Sequence, residues 1–378
     1  MYQYHTARST KGLSNMFQYL TSTKKILIIL LLSLCVTVYI LNSVEPEPSK
    51  QDIPVTHKRP ILLQPKISNK RKHFTRQAPK PTKKKTRSER MDMKLRQYID
   101  ELKEHQTKAY HRYNYSTIYE PRIQGEQMAI LVYTSCTLHA AATRNTIRQT
   151  WGSIDRQRPK SNIILAFVVG KSPADIHKTK ENKDALNELK IEHQHHQDIL
   201  MFDFIDSYRN LTLKSLNTLK WFIQTNMSLL VKCDSDVIVN WRTIYKLANE
   251  IKTKTSDFII GHRMHTSPIR DQTSKWFVPY QVYNRTTYPD FASGGAYVIS
   301  SSAVSKILQK YYSIRYLYLE DVFIAGLCRS AANITLIHSQ QFLRDKEDGI
   351  SDKWERIASV HGYSRRALIN TWLAIEGA

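Results

Sequence analysis

The stretch Leu229-Leu230-Val231-Lys232-Cys233-Asp234-Ser235-Asp236-Val237-Ile238-Val239 decides how the chain is read. Five mostly apolar residues form a short buried strand, two aspartates follow with one residue between them, and a second apolar triplet continues the strand beyond. In open α/β sheets, ligands gather at the carboxyl ends of the strands, which is where this acidic pair sits. Two carboxylates spaced this way put oxygens on one side of the chain, as a hard divalent cation bound to phosphates requires; Mn2+ or Mg2+ would keep water and donor oxygens in its other positions. A solvated acidic turn has the same three letters, so the surroundings must decide.

Working outward, strand and helix patterns alternate. Met128-Ala129-Ile130-Leu131-Val132-Tyr133 reads as a buried strand, the run from Arg144 to Trp151 as a helix and Ile163 to Val169 as the next strand. A charged helical run from Asp175 to Lys190 follows, then a strand over Asp198 to Phe204. Leu213, Leu216, Leu219 and Phe222 then share one helical face. Strand–helix–strand units build parallel sheets. The expected fold class is therefore α/β, with a mixed, mostly parallel sheet in a domain covering 120–378.

Upstream, Ile26 to Val44 is a run of nineteen uncharged residues. At 1.5 Å per residue it spans roughly 28 Å, the thickness of a bilayer's hydrocarbon. Lys24 and Lys25 precede it and Glu45 and Glu47 follow, which directs the 1–25 tail to the cytosol and the remainder to the lumen. The run exceeds the apolar core of a cleaved signal peptide and lacks a small-x-small site, so 26–44 is expected to be a transmembrane signal anchor.

The net charge of +23 is concentrated rather than spread: Lys58 to Arg90 holds thirteen Lys/Arg and one acid. With Pro60, Pro65, Pro79 and Pro81 it has the composition of an extended, disordered spacer, and 45–119 is expected to be a stem. A lumenal charge with hardly any interleaved aromatics argues against nucleic-acid binding. Salt-sensitive contacts of the stem with anionic lipid headgroups or acidic glycans stay open.

Lumenal topology gives meaning to the glycosylation sequons at Asn114, Asn210, Asn226, Asn284 and Asn333. Beyond Cys35 in the span, Cys136, Cys233 and Cys328 allow at most one intramolecular disulfide.

Several ordered blocks resemble the β-1,3-galactosyltransferase family, which includes β-1,3-N-acetylglucosaminyltransferases. They are Arg144-x-x-Ile147-Arg148-x-Thr150-Trp151-Gly152; Phe167 to Gly170; Glu192 with Asp198 and the run Asp203 to Lys214; and Lys232 to Asn240. Tyr288-Pro289 with Ser293-Gly294 and Tyr297-Val298, Glu320-Asp321-Val322, and Val360-His361-Gly362 with Trp372 complete the series. Together they span roughly residues 128 to 375. Two departures are visible: Ala292 stands where members often carry a cysteine, leaving a disulfide to Cys328 unsupported, and Phe323-Ile324-Ala325-Gly326 is one residue longer before the glycine than in many vertebrate members.

The resemblance implies a GT-A-type nucleotide-sugar-binding fold in a single-pass type II Golgi membrane glycoprotein. It also implies inverting transfer from a UDP-sugar to the 3-hydroxyl of a glycan acceptor on lipid or protein. Galactose is the expected sugar, GlcNAc or GalNAc the alternative, and an inactive glycan-binding or chaperone homologue the non-enzymatic one. The acceptor and the oligomeric state stay open.

An inverting transfer needs a base beside the acceptor hydroxyl, opposite the leaving diphosphate. The resemblance assigns this role to Asp321, with Glu320 orienting the acceptor or Asp321; a helix cap is the alternative for Asp321. It assigns the metal to Asp234, Asp236 and His361, and the donor to Asp234 as well. Arg144 and Arg148, one turn apart, meet phosphate or uracil, or else neutralise acids. Lys214 reaches the donor or lies on a helix surface, Asp203 and Asp206 bond the nucleotide or cap a helix, and Gly294-Gly295 give close backbone approach to the sugar or make a tight turn.

Overall fold

The structure, a computed structural model, describes residue 96 and residues 114–153, 162–172 and 180–377. The expected signal anchor at 26–44 and the stem up to residue 113, Arg96 apart, lie outside the described residues, as does the start of the helix expected from Asp175. Among the described residues no helix is long and apolar enough to cross a membrane.

The elements run β1 (Thr117–Tyr119), β2 (Met128–Tyr133), α1 (Leu138–Gln149), β3 (Ile163–Lys171), α2 (Lys180–His196), β4 (Ile199–Ile205), α3 (Leu211–Ile223), β5 (Leu229–Asp234), β6 (Val237–Val239) and α4 (Trp241–Lys252). After them come β7 (Phe258–Met264), β8 (Phe291–Ser300), α5 (Ser301–Lys310), a π-helix (Val322–Cys328), β9 (Thr335–His338), β10 (Phe342–Leu343), β11 (Ser359–His361) and α6 (Arg365–Glu376).

Eight strands form one sheet in the order β1-β4-β3-β2-β5-β8-β7-β9. The β4-β3-β2-β5 centre and the β7-β9 pair are parallel, while β1, β8 and the β8-β7 pair run antiparallel, so the expected mixed, mostly parallel sheet is present. All six residues of β2 are buried because the sheet is covered on both faces. Ala129, Leu131 and Tyr133 pack into one core with α3 and α5; Met128, Ile130 and Val132 pack into the other with α1 and α4.

Helix starts follow local capping: Thr137, Asn240, Ser300 and Ser364 each accept a hydrogen bond from the backbone N–H three residues on. The Thr137 cap starts α1 six residues before Arg144, where the apolar pattern is too weak to announce a helix.

Two details differ from the sequence reading. β6 is not the continuation of β5; it turns into a separate three-stranded sheet, β10-β11-β6. The extra residue before Gly326 falls in a seven-residue π-helix. A π-turn is the form in which a helix absorbs a single additional residue. Cys136, Cys233 and Cys328 are buried, and none is disulfide-bonded among the described residues.

Candidate active site

β5 and β6 are separated by two residues, and that turn projects Asp234 and Asp236 from the carboxyl edge of the large sheet. β11 pairs antiparallel with β6, His361 opposite Val237, which carries His361 in from the far end of the chain. The turn is locked by the Asp236 carbonyl, which accepts from Gly362 N at 3.0 Å and Tyr363 N at 2.9 Å. Gly362 makes this possible with φ of +94°, a backbone state that a Cβ strains.

One ligand atom from each of Asp234, Asp236 and His361 lies within 4.8 Å of the others. His361 Nδ1 donates to the Arg344 carbonyl at 3.1 Å, which turns Nε2 toward Asp236 Oδ2 at 3.4 Å; protonated, Nε2 is a hydrogen-bond donor to that carboxylate, and deprotonated it offers a lone pair to a cation. The hydrogen bond with Asp236 raises the His361 pKa against the opposing effect of burial. Burial pushes Asp236 upward, but the hydrogen bond and charge of His361 more than offset it, so its net pKa is lowered.

These residues fit a divalent cation. Asp236 Oδ1 is buried and lacks a hydrogen-bond partner among the described residues, a costly state for a carboxylate oxygen unless something positive meets it. Two carboxylates and an imidazole form a donor set for a divalent metal cation.

On the other side stands Asp321. Its Oδ1 accepts from Val322 N at 2.9 Å, so the helix-cap reading is correct as far as it goes, and its Oδ2 accepts from Gly294 N at 3.2 Å. Burial, then the adjacent Glu320 charge, raise its pKa to about 6. A carboxylate with that pKa is largely ionised at neutral pH and a better proton acceptor than an ordinary aspartate.

Gly294 and Gly295 separate the two halves. A Cβ on Gly294 would lie 3.0 Å from Asp321 Oδ2, and one on Gly295 3.1 Å from the His361 ring. Neither has positive φ, so the requirement is for space around the chain's own side chains.

The structure moves several expected site residues elsewhere. Glu320 is buried; Oε1 accepts from Ser215 Oγ at 2.9 Å and from the Tyr297 hydroxyl, and its bonds are to these side chains rather than to Asp321. Arg144 is buried, spanning Glu192 at 2.8 and 2.5 Å and the Ser135 carbonyl at 2.5 Å; Arg148 bonds Glu192 at 2.7 Å and Asp198 at 2.7 and 2.8 Å. Their acids belong to this chain, so the donor role proposed for them gives way to the neutralising one.

Lys214 is buried rather than on a helix surface. Its ammonium donates to Asp206 Oδ2 at 2.6 Å and the Thr134 carbonyl at 2.8 Å, tying together the ends of β2 and β4. Asp206 caps no helix, because its other bond is from Gly170 N at 3.1 Å. Asp203 is exposed and paired with Lys171. Among the sequons Asn114, Asn226, Asn284 and Asn333 are exposed, whereas the Asn210 amide donates to the Ile205 carbonyl at 2.8 Å.

Sequence reasoning passed over Lys232. The signal was there: a lysine in an otherwise apolar strand, two residues before Asp234 and so on the same face. Its ammonium lies 2.7 Å from Asp234 Oδ1, 2.5 Å from the Gly294 carbonyl and 3.5 Å from Glu320 Oε2.

A galactosyltransferase family model matches residues 142–340. The lactosylceramide 1,3-N-acetyl-beta-D-glucosaminyltransferase of Xenopus tropicalis is 31% identical over 231 residues, 59% of this chain and 59% of the relative's length. Beta-1,3-galactosyltransferase 5 of Pan paniscus is 34% identical over 62% of this chain and 76% of its own. Beta-1,3-galactosyltransferase 1 of Homo sapiens is 32% identical over 68% and 76%. Among solved structures, a galactosyltransferase in complex with donor and acceptor sugar analogues matches 66% of this chain and 95% of its own, at 12% identity and a TM-score of 0.35. That last likeness is too loose to place any residue.

Proposed function

Because the chain belongs to the galactosyltransferase family, a family of glycosyltransferases, we propose that it transfers galactose from UDP-galactose, with inversion, to the 3-hydroxyl of an acceptor sugar on a glycolipid or glycoprotein. The observation that carries the reading is the pairing of a cation-ready cluster, Asp234, Asp236 and His361, with a carboxylate of raised pKa across Gly294-Gly295.

In this reading Asp321 accepts the acceptor hydroxyl's proton as its oxygen bonds to the sugar's anomeric carbon and the bond from that carbon to the diphosphate breaks. Asp234, Asp236 and His361 would hold Mn2+, which supplies positive charge for the diphosphate. Lys232, Tyr297 and Glu320 fix Asp234 and the Gly294 backbone from behind. We place the enzyme in the Golgi membrane as a single-pass type II protein with a lumenal catalytic domain, on the strength of Ile26 to Val44 and its flanking charges.

A second reading, with UDP-GlcNAc as donor, is favoured by the Xenopus tropicalis relative, which is named for transfer of N-acetylglucosamine. The test is an assay of the full-length chain against a panel of UDP-sugars with Mn2+ and with chelator. Transfer from UDP-galactose that is lost on chelation is expected. Preference for UDP-GlcNAc favours the second reading, turnover indifferent to chelator overturns the metal assignment, and no turnover with any UDP-sugar overturns the enzyme.

A further inference from the structure

Lys232 sits in the central strand β5, opposite Tyr297 of β8, and is only 3% exposed. Its ammonium donates to Asp234 Oδ1 and the Gly294 carbonyl and forms an ion pair with Glu320 Oε2 at 3.5 Å, and the rings of Tyr133 and Tyr297 lie 5.0 and 5.8 Å from Nζ. The group thus has its partners inside the protein.

A buried lysine is an expensive way to stabilise a strand, since apolar residues of similar volume do as well or better. What an apolar residue would not do is join two particular partners. Lys232 grips a carboxylate of the cation cluster directly. It also grips Gly294, whose N–H, on the other side of the same Cα, is bonded to Asp321. A shift of β8 relative to β5 would therefore move the cluster and the base apart unless Lys232 yields.

We propose that Lys232 is a positioning residue that sets the cation cluster and Asp321 in register with each other through Gly294. The proposal rests on the reading of Asp321 as the base. It has two linked consequences. Without the ammonium, Asp234 loses the contact that orients it, and Asp321 loses a positive charge that holds its raised pKa down.

The experiment is Lys232→Met in the full-length chain, with Mn2+ binding followed by titration calorimetry using the metal alone and kcat/KM followed against pH at saturating Mn2+. Expected are a roughly 10–100-fold loss of Mn2+ affinity, the range for residues that orient metal ligands, and an acidic limb displaced above that of the wild type. Movement of only one of the two, or of neither, overturns the coupling.

If Lys232→Met does not fold because Glu320 is left unpaired, Lys232→Met/Glu320→Gln removes both charges. Its Mn2+ affinity and the acidic limb of its kcat/KM profile are then compared with those of Glu320→Gln; a further loss of affinity together with an upward-displaced limb in the double variant supports the proposal, and movement of only one or of neither overturns it. Full turnover in Asp321→Asn, by contrast, overturns the base assignment itself and the proposal with it.

Discussion

Two clusters of acids pack against the same sheet, and they differ in how their charge is balanced. In the first, Arg144 and Arg148 face Glu192 and Asp198, two cations for two anions, with side chains only 1–16% exposed. In the second, Asp234, Asp236, Glu320 and Asp321 share the single ammonium of Lys232 and the imidazole of His361. Here Asp234, Asp236 and His361 are 39%, 47% and 40% exposed. A closed, neutral cluster has no interaction left to offer. An open one with surplus negative charge still has carboxylate oxygens to offer a cation from outside. Richness in charged residues therefore identifies neither cluster as a site; the imbalance does.

The comparison is broken most sharply at Asp321. Replacing it with Asn should lower kcat by about 10²–10⁴-fold, the usual contribution of a general base. Mn2+ affinity should hold, since Asp321 is not among the three cation-facing side chains; calorimetry and steady-state kinetics on one sample check both. Glu192→Gln strikes the closed cluster instead. It leaves Arg144 under-compensated and should cost about 3–5 kcal/mol in denaturant unfolding, with Mn2+ affinity unchanged.

A smaller effect is expected at the boundary between base and cation cluster. In Gly294→Ala the new Cβ crowds Asp321 Oδ2 at 3.0 Å, and a displacement of a few tenths of an ångström should reduce kcat roughly tenfold while the fold survives. The mildest test is pH. Asp321 must be ionised to accept a proton, and with its pKa raised to about 6 the ionised fraction falls as pH drops through that value, so kcat/KM should decline there. Burial raises the Glu192 pKa, but the hydrogen bonds and charges of Arg144 and Arg148 more than offset this, leaving it below its usual value. The stability it contributes is therefore present above the unfolded pKa and lost only as pH falls through the lower, folded one. Acidification to pH 6 should thus reduce activity without lowering the unfolding temperature through this cluster.

The strands of the sheet's centre were legible because both of their faces are buried, which leaves continuous apolar runs such as Met128–Tyr133 and Ile163–Val169. Asp234 and Asp236 were legible as a pair, and His361 and Asp321 only through the family resemblance, because pairings such as β6 with β11 connect segments far apart in the chain and leave no local periodicity. The arginines and Lys214 misled for one reason. A basic residue near a strand's carboxyl end reads the same whether its partner is a phosphate or an acid tens of residues away, and Glu192, Asp198 and Asp206 became visible as partners only in three dimensions. Lys232 was hidden within an apolar strand, where its neighbours in sequence gave no hint that Glu320 and Gly294 would converge on it.

The central claim, that the unbalanced cluster holds a divalent cation and the balanced one does not, is tested most directly by Mn2+ titration calorimetry of the wild-type chain, Asp236→Asn and Glu192→Gln. One site is expected in the wild type and in Glu192→Gln, with affinity lost in Asp236→Asn. Equal binding by wild type and Asp236→Asn, or loss of the site in a folded Glu192→Gln protein, would contradict it.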